Sequence, residues 1–195
     1  MKTLKLKNYF FVGSPELQSI SLQEWIAKQM LHGQESRART RFLQSIAPRV
    51  KEVDDVRLEL LKKHAEKQKV KQGDKEVEMP VMTYVEIEEV KGENGEMVKM
   101  PKEKETTDAS KGKRFKVTDA DAFNADYQEY LNEDYIVDVI PSNRDIVYRI
   151  KDILTNTNET FAGRMALLYD EWCNAFEDIK EDSEGSAKVD KKAKK

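Results

Sequence analysis

QESRARTRFLQSIAPRVKEVDDVRLELLKKHAEKQK, Gln34 to Lys69, is the longest run of helical periodicity in the chain. Phe42, Leu43, Ile46, Val50, Val53, Leu60 and Leu61 recur at steps of three and four, so they share one stripe of a helix with charged residues opposite. Pro48 interrupts the pattern. It removes one amide donor and crowds the preceding turn, which predicts either a bend or two helices meeting at Ala47 and Pro48. Arg57 stands where an apolar residue is due, and reads as a stem that packs beneath a guanidinium that reaches water.

Toward the N-terminus, Leu4, Leu6, Tyr9, Phe10 and Phe11 form a short β-prone segment ended by Gly13. Ser14 and Pro15 then suit an N-cap and first helical position. The helix so predicted carries Leu17, Ile20 or Leu22, Trp25, Ile26 and Met30, and Gly33 stops it. Trp25 is expected in the core with its indole N–H on a carbonyl.

Toward the C-terminus, Pro80 to Val90 is β-branched and aromatic, Glu93-Asn94-Gly95-Glu96 supplies an Asn-Gly turn, and Met97-Val98-Lys99-Met100 begins a return strand. Val81, Thr83, Val85 and Ile87 alternate with Met82, Tyr84, Glu86 and Glu88, so one face can pack while the other meets water. A two-stranded ribbon is marginal alone, so it must rest on helices, gain a third strand or project as a binding arm. Tyr84, Glu86, Glu88 and Asn94 are its candidate protein contacts. Residues 102–113 read as a flexible loop, and Arg114 to Val117 as a third strand. Thr118 suits the N-cap of a helix with Phe123, Tyr127 and Leu131, and Tyr135 to Ile140 is β-prone. Ser142 can cap a helix bearing Ile146, Val147, Ile150, Ile153 and Leu154. A last helix carries Phe161, Met165, Leu168, Trp172, Phe176 and Ile179, a stripe suited to the first long helix.

These elements predict an α+β, mainly helical fold: long antiparallel helices packed together with a small antiparallel β-hairpin inserted between them. A single domain over 1–182, with the hairpin at 80–101, precedes a disordered lysine-rich tail at 183–195. The composition fits an elongated body, since 36% of the 195 residues are charged and 38% hydrophobic, against about 25% charged in an average domain.

Several function classes find no support. Cys173 is the single cysteine, and His32 and His64 are the two histidines, so no disulfide framework or zinc-site cluster is encoded. Glu89-Val90-Lys91 with Glu86 and Asp74 has the residue types of a metal-dependent nuclease strand, but at a hairpin tip it reads as solvated ribbon. Asp119-Ala-Asp121 opens like a calcium loop, yet Phe123 takes a ligand position and Asn124 the place of the turn glycine. Cys173 reads as a small inert residue near the core. No catalytic residue, metal ligand or cofactor is assigned. The short apolar run from Tyr9 to Val12 does not make a signal peptide, and no span reaches the 18 or so apolar residues of a membrane helix, so the chain is expected in the cytoplasm.

Charge is segregated. Residues 34–71 hold 11 basic and 6 acidic side chains, whereas residues 119–182 hold 16 acidic and 5 basic. Internal pairing between the two segments is the plain reading. Arg37, Arg39, Arg41 and Arg49 are the candidate nucleic-acid contacts, because guanidinium groups neutralise phosphates. Alternate helix residues point about 200° apart, however, so Arg37, Arg39 and Arg41 cannot form one strip.

RFKVTDADAFNADYQEYLNEDYIVDVI, followed later by ALLYDEWCNAFEDI, resembles small proteins of unknown function encoded by bacteriophages and prophages of Gram-positive bacteria. The resemblance covers the last 80 or so residues and the long helix. It implies a phage setting, in the host cytoplasm or a phage assembly, without an activity or functional residues. The expected function is a non-enzymatic interaction or assembly protein that binds a phage or host protein or itself. The alternatives are a nucleic-acid-binding accessory protein, or an inhibitor of a host defence or replication protein presenting the acidic 119–182 surface through Asp126, Glu129 and Glu133.

Overall fold

A computed structural model describes residues 2–13, 19–73, 75–91 and 96–179. Ser14-Pro15, Asn94-Gly95 and the 183–195 tail lie outside the described residues. The chain divides into two compact units, Met1–Arg49 with Glu133–Lys195, and Val50–Asn132.

In the first unit, β1 (Lys2–Lys7) pairs antiparallel with β7 (Asp134–Val139), setting Leu4 opposite Val137 and Leu6 opposite Tyr135. Leu4 and Leu6 are fully buried and Lys5 between them is exposed, as a pleat with one covered face requires. A 3-10 turn over Asn8–Phe11 then buries Phe10 and Phe11. Helix α1 (Leu22–Lys28) starts later than the sequence suggested. Ser21 is its N-cap, in a reciprocal box in which Glu24 N donates to Ser21 Oγ and Ser21 N to Glu24 Oε2. Met30 consequently falls beyond the helix and is 93% exposed.

Helix α2 (Gly33–His64) is continuous through Pro48, so the two-helix alternative is set aside. Its residues up to Arg49 belong to the first unit, where Phe42 and Ile46 are buried. Helices α4 (Arg144–Thr155) and α5 (Gly163–Glu177) complete this unit. Trp25 of α1 is its centre: the indole lies 6.2 Å from Trp172, 6.0 Å from Tyr169 and 6.3 Å from Phe161. Its N–H donates to Glu159 Oε2 at 2.8 Å, a carboxylate where a carbonyl was expected, and Gln29 Nε2 holds the other oxygen at 3.0 Å. The α4–α5 connection is thereby tied to α1.

The second unit has fewer buried side chains: Val53, Ala65, Val81, Met82 and Leu131. Here α3 (Ala120–Leu131), capped by Asp119 and not Thr118, meets the later turns of α2. Phe123 stands edge-on to His64 at 6.4 Å and stacks on Tyr127 at 5.7 Å. Three segments close the base of the strands through a ring of backbone bonds: Glu66 N donates to Lys116 O (2.8 Å), Lys116 N to Val81 O (3.0 Å), and Val81 N to Glu66 O (2.8 Å).

Two ribbons leave this ring. The first, β2 (Lys67–Gln72) with β3 (Lys75–Pro80), was not foreseen. It sets Lys69 opposite Glu78 and Lys71 opposite Glu76 on one face and Val70 opposite Val77 on the other, and Gly73 turns the chain at φ +64°. The second pairs β4 (Met82–Lys91) with β5 (Met97–Thr106), while the two-residue β6 (Arg114–Phe115) adds only to Met82 and Thr83. Strand β5 continues to Thr106, through residues read as loop, because Glu–Lys pairs bind it to β4.

The expectation of a mainly helical fold with one small hairpin is therefore wrong. The described residues form an α+β fold, 49% helical and 29% strand, with five helices and three sheets. The α5 stripe packs on α1, α4 and β1 and meets α2 through Phe42 and Phe176, 5.9 Å apart. The later part of the α2 stripe is covered by α3, so no long antiparallel seam is built.

Candidate functional site

The β4–β5 ribbon holds most of the exposed apolar surface of the second unit. Val85 is 64% exposed, Ile87 68% and Met97 60%, and Val90, Val98 and Met100 are also open. Register puts Val85, Ile87, Pro101 and Met97 on one face, since Ile87 opposes Pro101 and Lys91 opposes Met97. The other face carries Tyr84, Glu86 and Glu88 with Lys102 and Lys104. Lys104 bridges Glu86 at 2.5 Å and Glu88 at 2.7 Å, and Lys102 reaches Glu88 at 3.0 Å. Hydrogen bonds from Lys104 and then Lys102 lower the pKa of Glu88, and those glutamates raise that of Lys104. Two of the candidate protein contacts, Glu86 and Glu88, are thus engaged within the ribbon, Tyr84 is half-buried, and Asn94 lies outside the described residues.

Backbone polarity decides which edge of the ribbon is open. Lys113 N donates to Thr83 O at 2.9 Å, so Thr83 turns its peptide groups toward β6 and away from β5. In an unbroken strand residues two apart face the same edge, so Val85, Ile87 and Glu89 turn theirs the same way. There β6 has ended. The opposite parity, Tyr84, Glu86, Glu88 and Val90, bonds to β5. Pro101 agrees with this assignment: opposite Ile87 it occupies a non-hydrogen-bonded pair, where its nitrogen faces the outer edge of β5 and needs no hydrogen. The β5 edge is therefore interrupted by proline, whereas the β4 edge offers a run of free donors and acceptors among the described residues.

The candidate arginines separate by position. Arg39 closes the end of α1, donating to Gln29 O at 2.5 Å and Ser36 Oγ at 3.3 Å, and so serves carbonyls that helix end leaves orphaned. Arg49 donates to the buried Asn8 Oδ1 at 2.9 Å and lies 5.5 Å from the centre of the Tyr135 ring. Both are structural. Arg37 and Arg41, one turn apart on α2, instead line a hollow of about 270 Å³ with Gln34, and Asp145, Ile146 and Arg149 of α4 complete it. Arg149, which sequence reasoning missed, donates to Asp145 Oδ2 at 2.9 Å and Gln34 Oε1 at 2.7 Å. A wider hollow of about 610 Å³ lies between the end of α1 and the α4–α5 connection, and Lys28, Glu35, Asp152 and Glu159 are among the residues that line it.

The basic and acidic segments meet at Asp126, which accepts from Lys63 Nζ at 2.6 Å and lies 2.9 Å from His64 Nε2. Lys63 first, then His64, lowers its pKa. Asp126 thus belongs to the α2–α3 contact. Burial raises the pKa of Cys173, so its thiol stays protonated near neutrality.

No family model matches the chain, and neither a curated protein nor a solved structure matches it. Among the described residues no helix is long and apolar enough to cross a membrane.

Proposed function

We propose that the chain is a phage- or prophage-encoded, non-enzymatic interaction or assembly protein that acts in the bacterial host cytoplasm and binds another protein along the outer edge of β4. One observation carries this reading: unpaired peptide groups at Val85, Ile87 and Glu89 run beside exposed apolar side chains on the same strand. Strand addition uses this combination, with backbone bonds supplying affinity and alternate side chains specificity. The phage setting rests on the resemblance of the 114–140 and 166–179 segments.

The occupant is an extended segment of a different protein with apolar residues at alternate positions, to meet Val85 and Ile87. Glu86, Glu88 and Glu89 are already bridged by Lys104, Lys102 and Lys99 within the ribbon, so their charge does not select the occupant, and a second copy is the alternative that the following experiment decides. A photo-crosslinking residue at Val85 tests this in cells carrying the phage. Crosslinks to an extended segment of one other protein are expected, and light scattering should show a monomer of the free chain. Crosslinks only to a second copy, or none, overturn the reading.

A further inference from the structure

We infer that the hollow between the first turns of α2 and α4 binds a phosphate group. Gln34, Arg37, Ala38 and Arg41 stand at helical steps of three and four on α2, and Asp145, Ile146 and Arg149 do so on α4. Three guanidinium groups and one carboxylate therefore line a cavity of about 270 Å³. That is below the roughly 300–1,000 Å³ of pockets that enclose a drug-sized ligand, and it suits a single small anionic group.

The arginines differ in what holds them. Arg149 is aimed by Asp145 on its Nε and by Gln34 on one terminal nitrogen, which uses the single acidic side chain of the hollow. Arg37 and Arg41 are exposed, and among the described residues neither has a hydrogen-bond or ion-pair partner. Like charges one turn apart repel, so their pairing on one face costs stability unless an anion lies between them. Planar guanidinium forks match oxygens two at a time, and a phosphate group has oxygens enough to take a fork from each of Arg37 and Arg41, whereas a carboxylate fills one fork and a halide none. This site is independent of the β4 edge.

A phosphate group can come from a nucleic-acid backbone or from a small soluble phosphate compound, and two probes separate these sources. The first is a fluorescent single-stranded DNA of about 20 nucleotides, titrated at about 50 and 200 mM salt; the second is inorganic phosphate, read by thermal shift. Each is applied to the full chain, to the Arg37→Ala/Arg41→Ala double variant, and to Arg164→Ala, which removes an exposed arginine elsewhere on α5. If the source is nucleic acid, DNA binds, and the double variant binds roughly tenfold more weakly or worse with a salt slope shallower by about two, while Arg164→Ala is unchanged. If the source is a small phosphate, inorganic phosphate raises the melting temperature of the chain and of Arg164→Ala but not of the double variant, and DNA does not bind. Absence of both responses, or a double variant indistinguishable from Arg164→Ala, overturns the site. Should circular dichroism show the double variant unfolded, Arg37→Gln alone repeats the comparison.

Discussion

Proline at Ile87 and proline at Val90 should have opposite consequences, although both residues are exposed, apolar and on the same strand. Val90 lies opposite Val98 and has the parity that bonds to β5. Val90→Pro removes a ladder donor and leaves the Val98 carbonyl unmatched, a loss of about 1 kcal/mol, or roughly a fivefold increase in local opening of the ribbon. Ile87 has the parity that faces the open edge, opposite Pro101, which already lacks a hydrogen at the corresponding place on the other side. Ile87→Pro should therefore leave β4–β5 amide protection within about twofold of the parent, while costing an incoming strand one bond and obstructing it with the ring. Partner capture should weaken roughly tenfold. Ile87→Ala, which keeps the N–H, separates lost side-chain contact from lost backbone bonding and should weaken capture less. Hydrogen exchange of the 82–91 and 97–106 segments reads the ribbon, and the photo-crosslinking assay reads capture. If Ile87→Pro opens the ribbon as much as Val90→Pro, the assignment of edges is refuted.

Trp25→Phe should cost about 1–2 kcal/mol more in chemical denaturation than Trp172→Phe, because the Trp25 indole donates to a Glu159 carboxylate whereas Trp172 Nε1, though buried, has no partner among the described residues; equal losses would contradict this. Gly112→Ala should destabilise the second unit by about 1–3 kcal/mol, since the added carbon would lie 2.6 Å from the Cβ of the buried Met82; a neutral result by denaturation would show that the loop yields freely. The folded pKa of Asp126 lies below its ordinary 3.8, so its contact with Lys63 and His64 stabilises fully above that value and is lost as pH falls through the lowered one. Asp126→Asn should therefore narrow the stability difference between about pH 6 and about pH 2, and an unchanged difference in thermal unfolding would reject the contact.

Much of the first unit was legible because its elements obey helical or strand periodicity. Trp25, Trp172 and Phe176 were placed in the core by spacing alone, and all three are buried. The second unit was harder. In β2 and β3 Lys69, Lys71, Glu76 and Glu78 occupy positions where a half-buried strand would show apolar residues, so the ribbon reads as charged coil until its partners are known. Long α2 looked like one side of a helical seam because periodicity reports that a stripe is covered, but not by what; α3 and α5 cover different parts of it. Helix geometry shows that Arg37, Arg39 and Arg41 cannot share one strip, but not that Arg37 and Arg41 line one hollow while Arg39 closes the end of α1. Arg149 gave no signal of its own, since an arginine four residues after Asp145 reads as a solvated pair. A third strand is legible at Arg114 to Val117, but the open edge of β4 depends on where that strand stops, and nothing in the periodicity shows that only Arg114 and Phe115 pair with β4.

Residue-resolved amide exchange along β4 in the free protein tests the central claim most directly. Tyr84, Glu86 and Glu88 should be protected by β5, Val85, Ile87 and Glu89 should exchange rapidly, and the second set should slow when the crosslinked partner segment is added as a peptide. Equal protection of both sets in the free protein would mean that the edge is already occupied, and would contradict the account.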